Sequence, residues 1–249
     1  GRLLFDTGQG HVLRRNADTL GIDLETAGAI VLSHGHFDHV GGLQPQLERS
    51  KEAIVYLHPD ALQKRFSGTE DGGTRPVNEE FLYSGALEER AAKLVKMTKP
   101  TEVLPGIRAT GEVPRVISYE DTGGAFYLDE AGTKADPIRD DQSLYFCSDE
   151  GIVLILGCAH AGVVNTMRYV AALTGQKRLH AVIGGMHLLN ATQERLEQTW
   201  AVFKEMEVNL IAPCHCTGNK ATAGFWERFP DRCREAHAGQ TFTFSLKKN

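Results

Sequence analysis

The residues of this chain best suited to chemistry lie in one short stretch, Ser33-His34-Gly35-His36-Phe37-Asp38-His39. Three imidazoles and a carboxylate fall within it, and these are ligands that zinc and similar divalent metals prefer. In extended backbone His34 and His36 point to the same side of the chain, so both can bind one metal. The following turn directs Asp38 and His39 to a second position nearby. The spacing therefore predicts a metal site, and a solvated loop that is merely rich in histidine is the alternative.

Three further histidines, His160, His187 and His215, each follow a predicted strand and then a glycine or proline. Strand ends on one edge of a sheet converge in space, so these side chains are expected to meet. Any one of them alone is explained more simply as a structural histidine, but the repetition favours a site.

The elements that must position these residues alternate between strands and helices. Apolar runs predict strands at 2–6, 29–32, 53–57, 107–110, 144–146, 152–156, 181–185, 210–213 and 240–246. Helical patterns fall at 11–20, 43–50, 87–96, 162–173, 193–206 and 217–229. Strands alternating with helices are what a sheet covered by helices requires, so the predicted fold class is α/β.

Residues 60–100 differ in composition, with Gly, Thr, Glu and Lys prominent. We interpret this segment as a lid inserted over the active site, since long inserts commonly carry substrate contacts. Lys64, Arg65 and Arg75 are candidate anion contacts there, although a solvated charged surface is the simpler interpretation for each. His58, which ends the preceding strand, is expected at the surface.

The composition limits the kinds of binding partner that we expect for this chain. The net charge of −5 gives no basic field, so a small-molecule substrate is expected and nucleic acid is not. The absence of a run of eighteen or more apolar residues argues against a membrane span. Five cysteines form no evident disulfide framework, which favours the cytoplasm. Cys214 and Cys216 flank His215 and could mimic a metal knuckle, but packing at a strand end is the favoured interpretation. The oligomeric state is left open.

The pattern His-x-His-x-Asp-His after a strand resembles the signature of the metallo-β-lactamase superfamily. Leu4-Phe5-Asp6-Thr7-Gly8 looks like the aspartate-bearing turn that this family places just upstream, and Asp6 would orient the metal loop by hydrogen bonds. Further phrases are similar to a subfamily named for dihydropterin-ribofuranosylaminobenzene phosphate synthase. They are Thr110-Gly111-Glu112-Val113-Pro114-Arg115, Gly157-Cys158-Ala159-His160-Ala161-Gly162, Gly184-Gly185-Met186-His187-Leu188 and His215-Cys216-Thr217-Gly218.

The resemblance implies a four-layer αβ/βα sandwich of the metallo-β-lactamase type. We expect residues 1–249 to form a single domain of this fold, with the lid as an insertion at about 60–100. A tight pair of similar halves is the alternative that the length allows. Because the family has a β-hairpin ahead of this point and the chain starts inside a strand, the N-terminus is expected to have been trimmed.

The resemblance also implies two metal ions. Their ligands would be His34, His36 and His160 for the first ion, and Asp38, His39 and His215 for the second. Where the family carries a bridging aspartate this chain has Cys158, and a cysteine thiolate is a good zinc ligand. Either Cys158 is a ligand or His160 takes its place. Zinc is expected, with iron or manganese as alternatives.

By the same resemblance, His187 corresponds to a histidine near the scissile phosphate in tRNA 3′-processing endonucleases. It would act as a general acid or donate to a phosphoryl oxygen, and Asp38 would receive or orient the proton of the nucleophile. The expected function is a metal-dependent hydrolase in which a metal-activated hydroxide attacks a phosphoester, lactone or similar bond. One alternative is a transferase that condenses a dihydropterin methyl diphosphate with ribofuranosylaminobenzene phosphate. Another is a metal-binding protein without catalysis.

Overall fold

The computed structural model describes residues 1–247 of the 249-residue chain. Its elements fall into two units: the first contains Gly1–Leu104 and Gly124–Asp140, and the second contains Pro105–Gly123 and the chain from Asp141 onward. Each unit combines strands with helices, which confirms the α/β class. Within the described residues, no helix has both the length and the apolar character needed to cross a membrane.

The first unit contains a four-stranded parallel sheet. In spatial order its strands are Leu3–Phe5, Ala29–Val31, Ile54–Leu57 and Lys93–Lys96. Ala29–Val31 is wholly apolar and buried, as an inner strand of a parallel sheet should be. Its Ile30 lies beside Leu4 on one side and Val55 on the other. The point where this strand ends and the histidine motif begins is therefore fixed by neighbours on both sides.

Short elements complete the first unit. A small antiparallel sheet contains Thr74–Pro76, Phe66–Gly68 and Phe126–Tyr127 in that spatial order. The first stretch of this unit ends with the strand Thr101–Leu104. The helices, which include two short 3₁₀ turns, are Leu13–Leu20, Leu24–Thr26, Phe37–Val40, Leu43–Leu47, Pro59–Leu62, Glu80–Tyr83 and Ala86–Arg90.

The second unit has strands in the spatial order Leu210–Cys214, Leu179–Gly185, Gly151–Leu156, Leu144–Ser148 and Ile107–Ala109. The first three are parallel to one another, so their carboxyl ends share one edge of the sheet. The helices are Val163–Thr174, Gln193–Glu205 and Asn219–Arg228, with a 3₁₀ turn at His215–Thr217. This arrangement confirms the predicted alternation of strands and helices in this half of the chain.

Each unit has its own apolar core. Ile30, Leu43 and Leu57 are among the buried residues of the first core, and Phe203 and Phe225 are among those of the second. The rings of Phe203 and Phe225 meet edge-on, with centroids 4.8 Å apart. Burying one such side chain stabilises the fold by about 1.5–3 kcal/mol relative to leaving it exposed. The two cores therefore stabilise the strands whose ends carry the histidines.

Two predicted elements are wrong. The helix expected at 87–96 is instead a short helix, Ala86–Arg90, followed by the strand Lys93–Lys96, which pairs with Ile54–Leu57. Lysines on an exposed edge strand give a charged and apolar mixture that resembles an amphipathic helix. The strand expected at 240–246 contains only an isolated bridge between Leu246 and Ser148, because its side chains are half-buried or exposed and form no buried face.

Candidate metal centre

The histidine motif of the first unit lies where the strand Ala29–Val31 ends and the helix Phe37–Val40 begins. His34, His36 and His39 are all buried, with exposed fractions of 1%, 5% and 6%. The His34 ring lies 4.5 Å from the His36 ring and 4.2 Å from the His39 ring, measured between centroids. The structure therefore clusters three of the predicted ligands.

Asp6 lies beneath this cluster, as predicted. Its Oδ1 accepts a hydrogen bond from the Ser33 backbone N–H at 2.7 Å. Its Oδ2 accepts from the Ser33 hydroxyl at 2.7 Å and faces the His39 Nδ1 at 2.6 Å. A carboxylate in this position fixes both the tautomer and the orientation of an imidazole, which is how histidine ligands of metals are commonly held.

Burial also sets the charge of His36. Removal from water lowers the pKa of His36 from 6.5 to about 3, with Asp140 as an opposing influence. The ring is therefore neutral near pH 7, the form in which imidazole binds metals. Asp38 is more accessible, with a quarter of its side chain exposed, and its Oδ2 lies 3.6 Å from the His39 Nε2.

Gly35 lets the histidine motif, residues 33–39, pack closely against another part of the first unit. A Cβ at Gly35 would come 2.8 Å from the Ala61 carbonyl oxygen, so a side chain there is excluded. The Gly35 N–H donates to Asp140 Oδ2 at 2.7 Å, and Asp140 Oδ1 accepts from Arg65 Nη1 at 2.6 Å. A buried ion pair thus supports the backbone between His34 and His36.

Two surface predictions are wrong. Arg65, expected on a solvated face, is 1% exposed and pairs with Asp140 and Asp136. His58, also expected at the surface, is 3% exposed and accepts the Asp60 N–H at the start of a 3₁₀ turn. Arg75 is exposed, as the solvated interpretation requires.

In the second unit, His160, His187 and His215 each follow one of the three parallel strands. His187 and His215 have positive φ angles of 44° and 52°, which are uncommon outside glycine. The ligand atoms of Cys158, His160 and His187 all lie within 4.8 Å of one another. Those of Cys158, His215 and Cys216 form a second such group.

His160 is held from two sides. Its Nδ1 lies 2.8 Å from the Thr122 carbonyl oxygen, and its own carbonyl oxygen accepts from Arg115 Nη1 at 2.6 Å. The next residue, Ala161, donates its N–H to Asp141 Oδ2 at 2.9 Å. His160 is 1% exposed. Because of these hydrogen bonds, the loop that carries it is ordered before any ligand binds.

The segment 120–123 contacts His160 and His187 as well as two helices of the second unit. Glu120 accepts the N–H groups of Val164 and Asn165 at 2.8 and 2.7 Å, and burial raises the pKa of Glu120. Asp121 forms an ion pair with the buried Arg195. At Gly123, whose φ is +79°, a Cβ would overlap the His187 ring.

These donors fit a divalent metal. Imidazole nitrogen, thiolate sulfur and carboxylate oxygen are the three ligand types that zinc accepts. Sequence reasoning missed the residues that brace them, namely Arg115, Glu120, Thr122, Asp140 and Asp141. The acidic pair before the strand Leu144–Ser148 was the available signal, since adjacent carboxylates entering a buried strand need partners.

Comparison with known proteins identifies relatives. The family model of the Metallo-beta-lactamase superfamily matches residues 1–180. The chain is similar to the 7,8-dihydropterin-6-methyl-4-(beta-D-ribofuranosyl)-aminobenzene-5'-phosphate synthase of Methanocaldococcus jannaschii. The identity is 32%, over 98% of this chain and 84% of that protein.

Solved structures show the same relationship. Tm1679, a metal-dependent hydrolase of the beta-lactamase superfamily, is 30% identical with a TM-score of 0.83, over 98% of this chain and 89% of that chain. A diphosphatase from the PhnP family is 15% identical with a TM-score of 0.54, over 98% and 81% of the two chains. The latter likeness concerns the fold alone. Together they confirm the predicted metallo-β-lactamase type of fold.

Proposed function

Because the chain belongs to the metallo-beta-lactamase superfamily, we propose that it is a metal-dependent hydrolase of a phosphoester, lactone or similar bond in a small molecule. The observation that carries the proposal is the histidine cluster of the first unit, where three buried imidazoles are braced by Asp6. The likeness to Tm1679, a metal-dependent hydrolase, supports the same reaction class.

The proposed metal ligands are those that the family resemblance implies. They are His34, His36, Asp38, His39, His160 and His215. A pair of bound zinc ions, or iron or manganese in their place, would supply Lewis-acid chemistry and lower the pKa of a water molecule to about 7. Hydrogen bonds to Nδ1 of His39 and His160 favour the tautomer with its lone pair on Nε2.

Asp38 and His187 are the proposed catalytic residues. The partly exposed Asp38 carboxylate takes or orients the proton of the attacking water. His187 lies with its ring centroid 4.2 Å from that of His160 and is only partly buried, so it can reach a bound substrate. There it donates a proton to the leaving oxygen or a hydrogen bond to a phosphoryl oxygen.

A second candidate function is a transferase that condenses a dihydropterin methyl diphosphate with ribofuranosylaminobenzene phosphate. It is favoured by the 32% identity to the synthase from Methanocaldococcus jannaschii, which extends over 98% of this chain. Transfer and hydrolysis differ in the acceptor, water or an organic nucleophile, and the same ligand types can serve both.

The deciding experiment assays zinc-loaded and manganese-loaded protein on phosphodiesters, lactones, β-lactams and the pterin condensation. We expect hydrolysis of at least one class, lost after chelation and in His36→Ala. Condensation without hydrolysis would establish the transferase instead. Stoichiometric metal binding with no reaction on any substrate would reject both enzymes and leave a metal-binding protein.

We also propose that the protein resides in the cytoplasm. None of its five cysteines, all of which the structure describes, forms a disulfide, whereas oxidising compartments favour disulfides. Fractionation of the native cells, with the protein detected by antibody, tests this location.

A further inference from the structure

Two cysteines of the second unit meet at the ends of its parallel strands. Cys158 follows the strand Gly151–Leu156, and Cys216 lies just beyond the strand Leu210–Cys214. Their sulfur atoms and a ring nitrogen of His215 all lie within 4.8 Å of one another. Cys158 is 3% exposed, while Cys216 is partly buried and His215 is exposed.

Gly185 keeps the space that this arrangement needs. A Cβ at Gly185 would lie 2.8 Å from the Cys216 sulfur and 3.3 Å from the Cys158 Cα. Gly185 is absent from the residues with positive φ, so its backbone conformation is one that any residue adopts. The Cβ would come closer still to the Gly157 carbonyl oxygen, so glycine is required here first by the neighbouring backbone and then by the Cys216 sulfur.

The remaining cysteines serve as internal comparisons. Cys147 lies on the strand Leu144–Ser148, where its sulfur accepts a hydrogen bond from Gln176 at 3.1 Å. Cys214 ends the strand Leu210–Cys214, two residues before Cys216. Neither belongs to a group of clustered metal-binding side chains among the described residues.

We propose that Cys158 and Cys216 bind a thiophilic divalent metal, zinc above all, together with His215. Each thiol releases its proton to solvent as its sulfur forms a bond to the metal. Two sulfurs and one nitrogen supply three of the four ligands of a tetrahedral zinc site. Thiolate ligands select zinc over magnesium and manganese, so the proposal assigns the metal as well as the ligands.

This inference rests on the proposed function only in placing sulfur ligands at the same metal centre. It revises the sequence-based preference that treated Cys216 as packing, and it adds Cys158 and Cys216 to the proposed ligands, which include His160. The experiment measures metal coordination directly. If the protein proves not to be a hydrolase, the result on its metal ligands remains valid.

Cobalt substitution of the full chain tests the proposal. We expect a near-ultraviolet sulfur-to-cobalt charge-transfer band in the wild-type protein. Cys158→Ser and Cys216→Ser should each lose part of this band, and the double variant should lose all of it. The matched controls Cys147→Ser and Cys214→Ser should keep the wild-type spectrum.

X-ray absorption of the zinc-loaded wild-type protein covers the case in which a variant does not fold. Sulfur scatterers at about 2.3 Å from zinc are expected. Coordination by nitrogen and oxygen alone, or a charge-transfer band that persists in the folded double variant, would overturn the proposal. So would a Cys158–Cys216 disulfide in freshly purified protein, detected by thiol titration.

Discussion

In both His39 and His160, one hydrogen bond to an oxygen fixes the tautomer of the imidazole that we propose as a metal ligand. Nδ1 of His39 faces the Asp6 carboxylate at 2.6 Å, and Nδ1 of His160 faces the Thr122 carbonyl at 2.8 Å. Both oxygens accept hydrogen bonds, so Nδ1 carries the proton in each ring and the lone pair lies on Nε2. Two separate loops therefore orient a proposed ligand by the same kind of hydrogen bond.

Replacing Asp6 by asparagine tests this orienting role. Asp6→Asn puts an amide NH₂ where one oxygen now accepts from Ser33 or faces His39, so the tautomer of His39 is no longer enforced. We expect metal affinity to fall by about 10- to 100-fold, measured by competition with a chromophoric chelator. The exposed Asp18→Asn is the matched control. Unchanged affinity in Asp6→Asn would mean that the carboxylate only supports the loop.

His36→Ala tests the cluster itself. His36 is buried and neutral, so its replacement removes a proposed ligand and no surface charge. We expect most of the bound metal and all activity to be lost, as measured by elemental analysis of the purified variant. The exposed His11→Ala should keep the wild-type metal content. Full metal occupancy in His36→Ala would reject its assignment as a ligand.

His187→Ala separates catalysis from metal binding. If His187 acts on the substrate, the variant keeps its metals and fold but loses about 100- to 10,000-fold in rate. The exposed His237→Ala should match the wild type in rate and metal content. Metal loss would instead make His187 a ligand, which its place beside Cys158 and His160 allows. Unchanged kinetics with unchanged metal would make it structural.

The local sequence predicts the donors of the site but not their supports. The motif from Ser33 to His39 is contiguous, so its chemistry is visible without a structure. The acceptor of the Gly35 N–H is Asp140, 105 residues away. No sequence pattern near either residue predicts that the two are in contact. The burial of Arg65 also depends on residues distant in the sequence. A guanidinium is buried only where carboxylates pair with it, and here Asp140 does so.

Helices were predictable where one apolar face is long enough. In Gln193–Glu205, Leu196, Trp200 and Phe203 repeat at helical spacing and are all buried. The segment 87–96 shows the opposite case, since pairing of Lys93–Lys96 with Ile54–Leu57 determines its second half. Strand preference depends on such neighbours more than helix preference does, and a single sequence does not display them.

Through the contact between Arg65 and Asp140, the segment after Pro59–Leu62 supports the histidine motif, residues 33–39, of the first unit. Arg65→Met leaves the carboxylates of Asp136 and Asp140 buried without their cation. We expect a loss of about 3–5 kcal/mol in the free energy of unfolding, measured by urea denaturation.

The exposed Arg75→Met provides the control for this element, because it removes the same charge from the same segment of the chain. It should change the free energy of unfolding by no more than about 0.5 kcal/mol. Equal effects in the two variants would show that the buried ion pair does not stabilise the fold.

At the scale of the whole molecule, the two units are interleaved along the chain. The backbone passes from one to the other at Leu104, at Gly123 and at Asp140. Neither unit is therefore one continuous segment, and the first is incomplete until residue 140 has been reached. This connectivity supports the expectation of a single domain. When one unit unfolds, the ends of the chain segments that belong to the other unit are no longer held in place.

Tryptophan fluorescence tests that expectation, because both tryptophans, Trp200 and Trp226, belong to the second unit. Far-ultraviolet circular dichroism reports on the strands and helices of both units. We expect the two signals to give the same midpoint in urea, as two-state unfolding requires. Trp226→Phe leaves the buried Trp200 as the sole reporter and should give that midpoint again. A fluorescence transition displaced from the dichroism transition would show that the units unfold separately and that the chain consists of two domains.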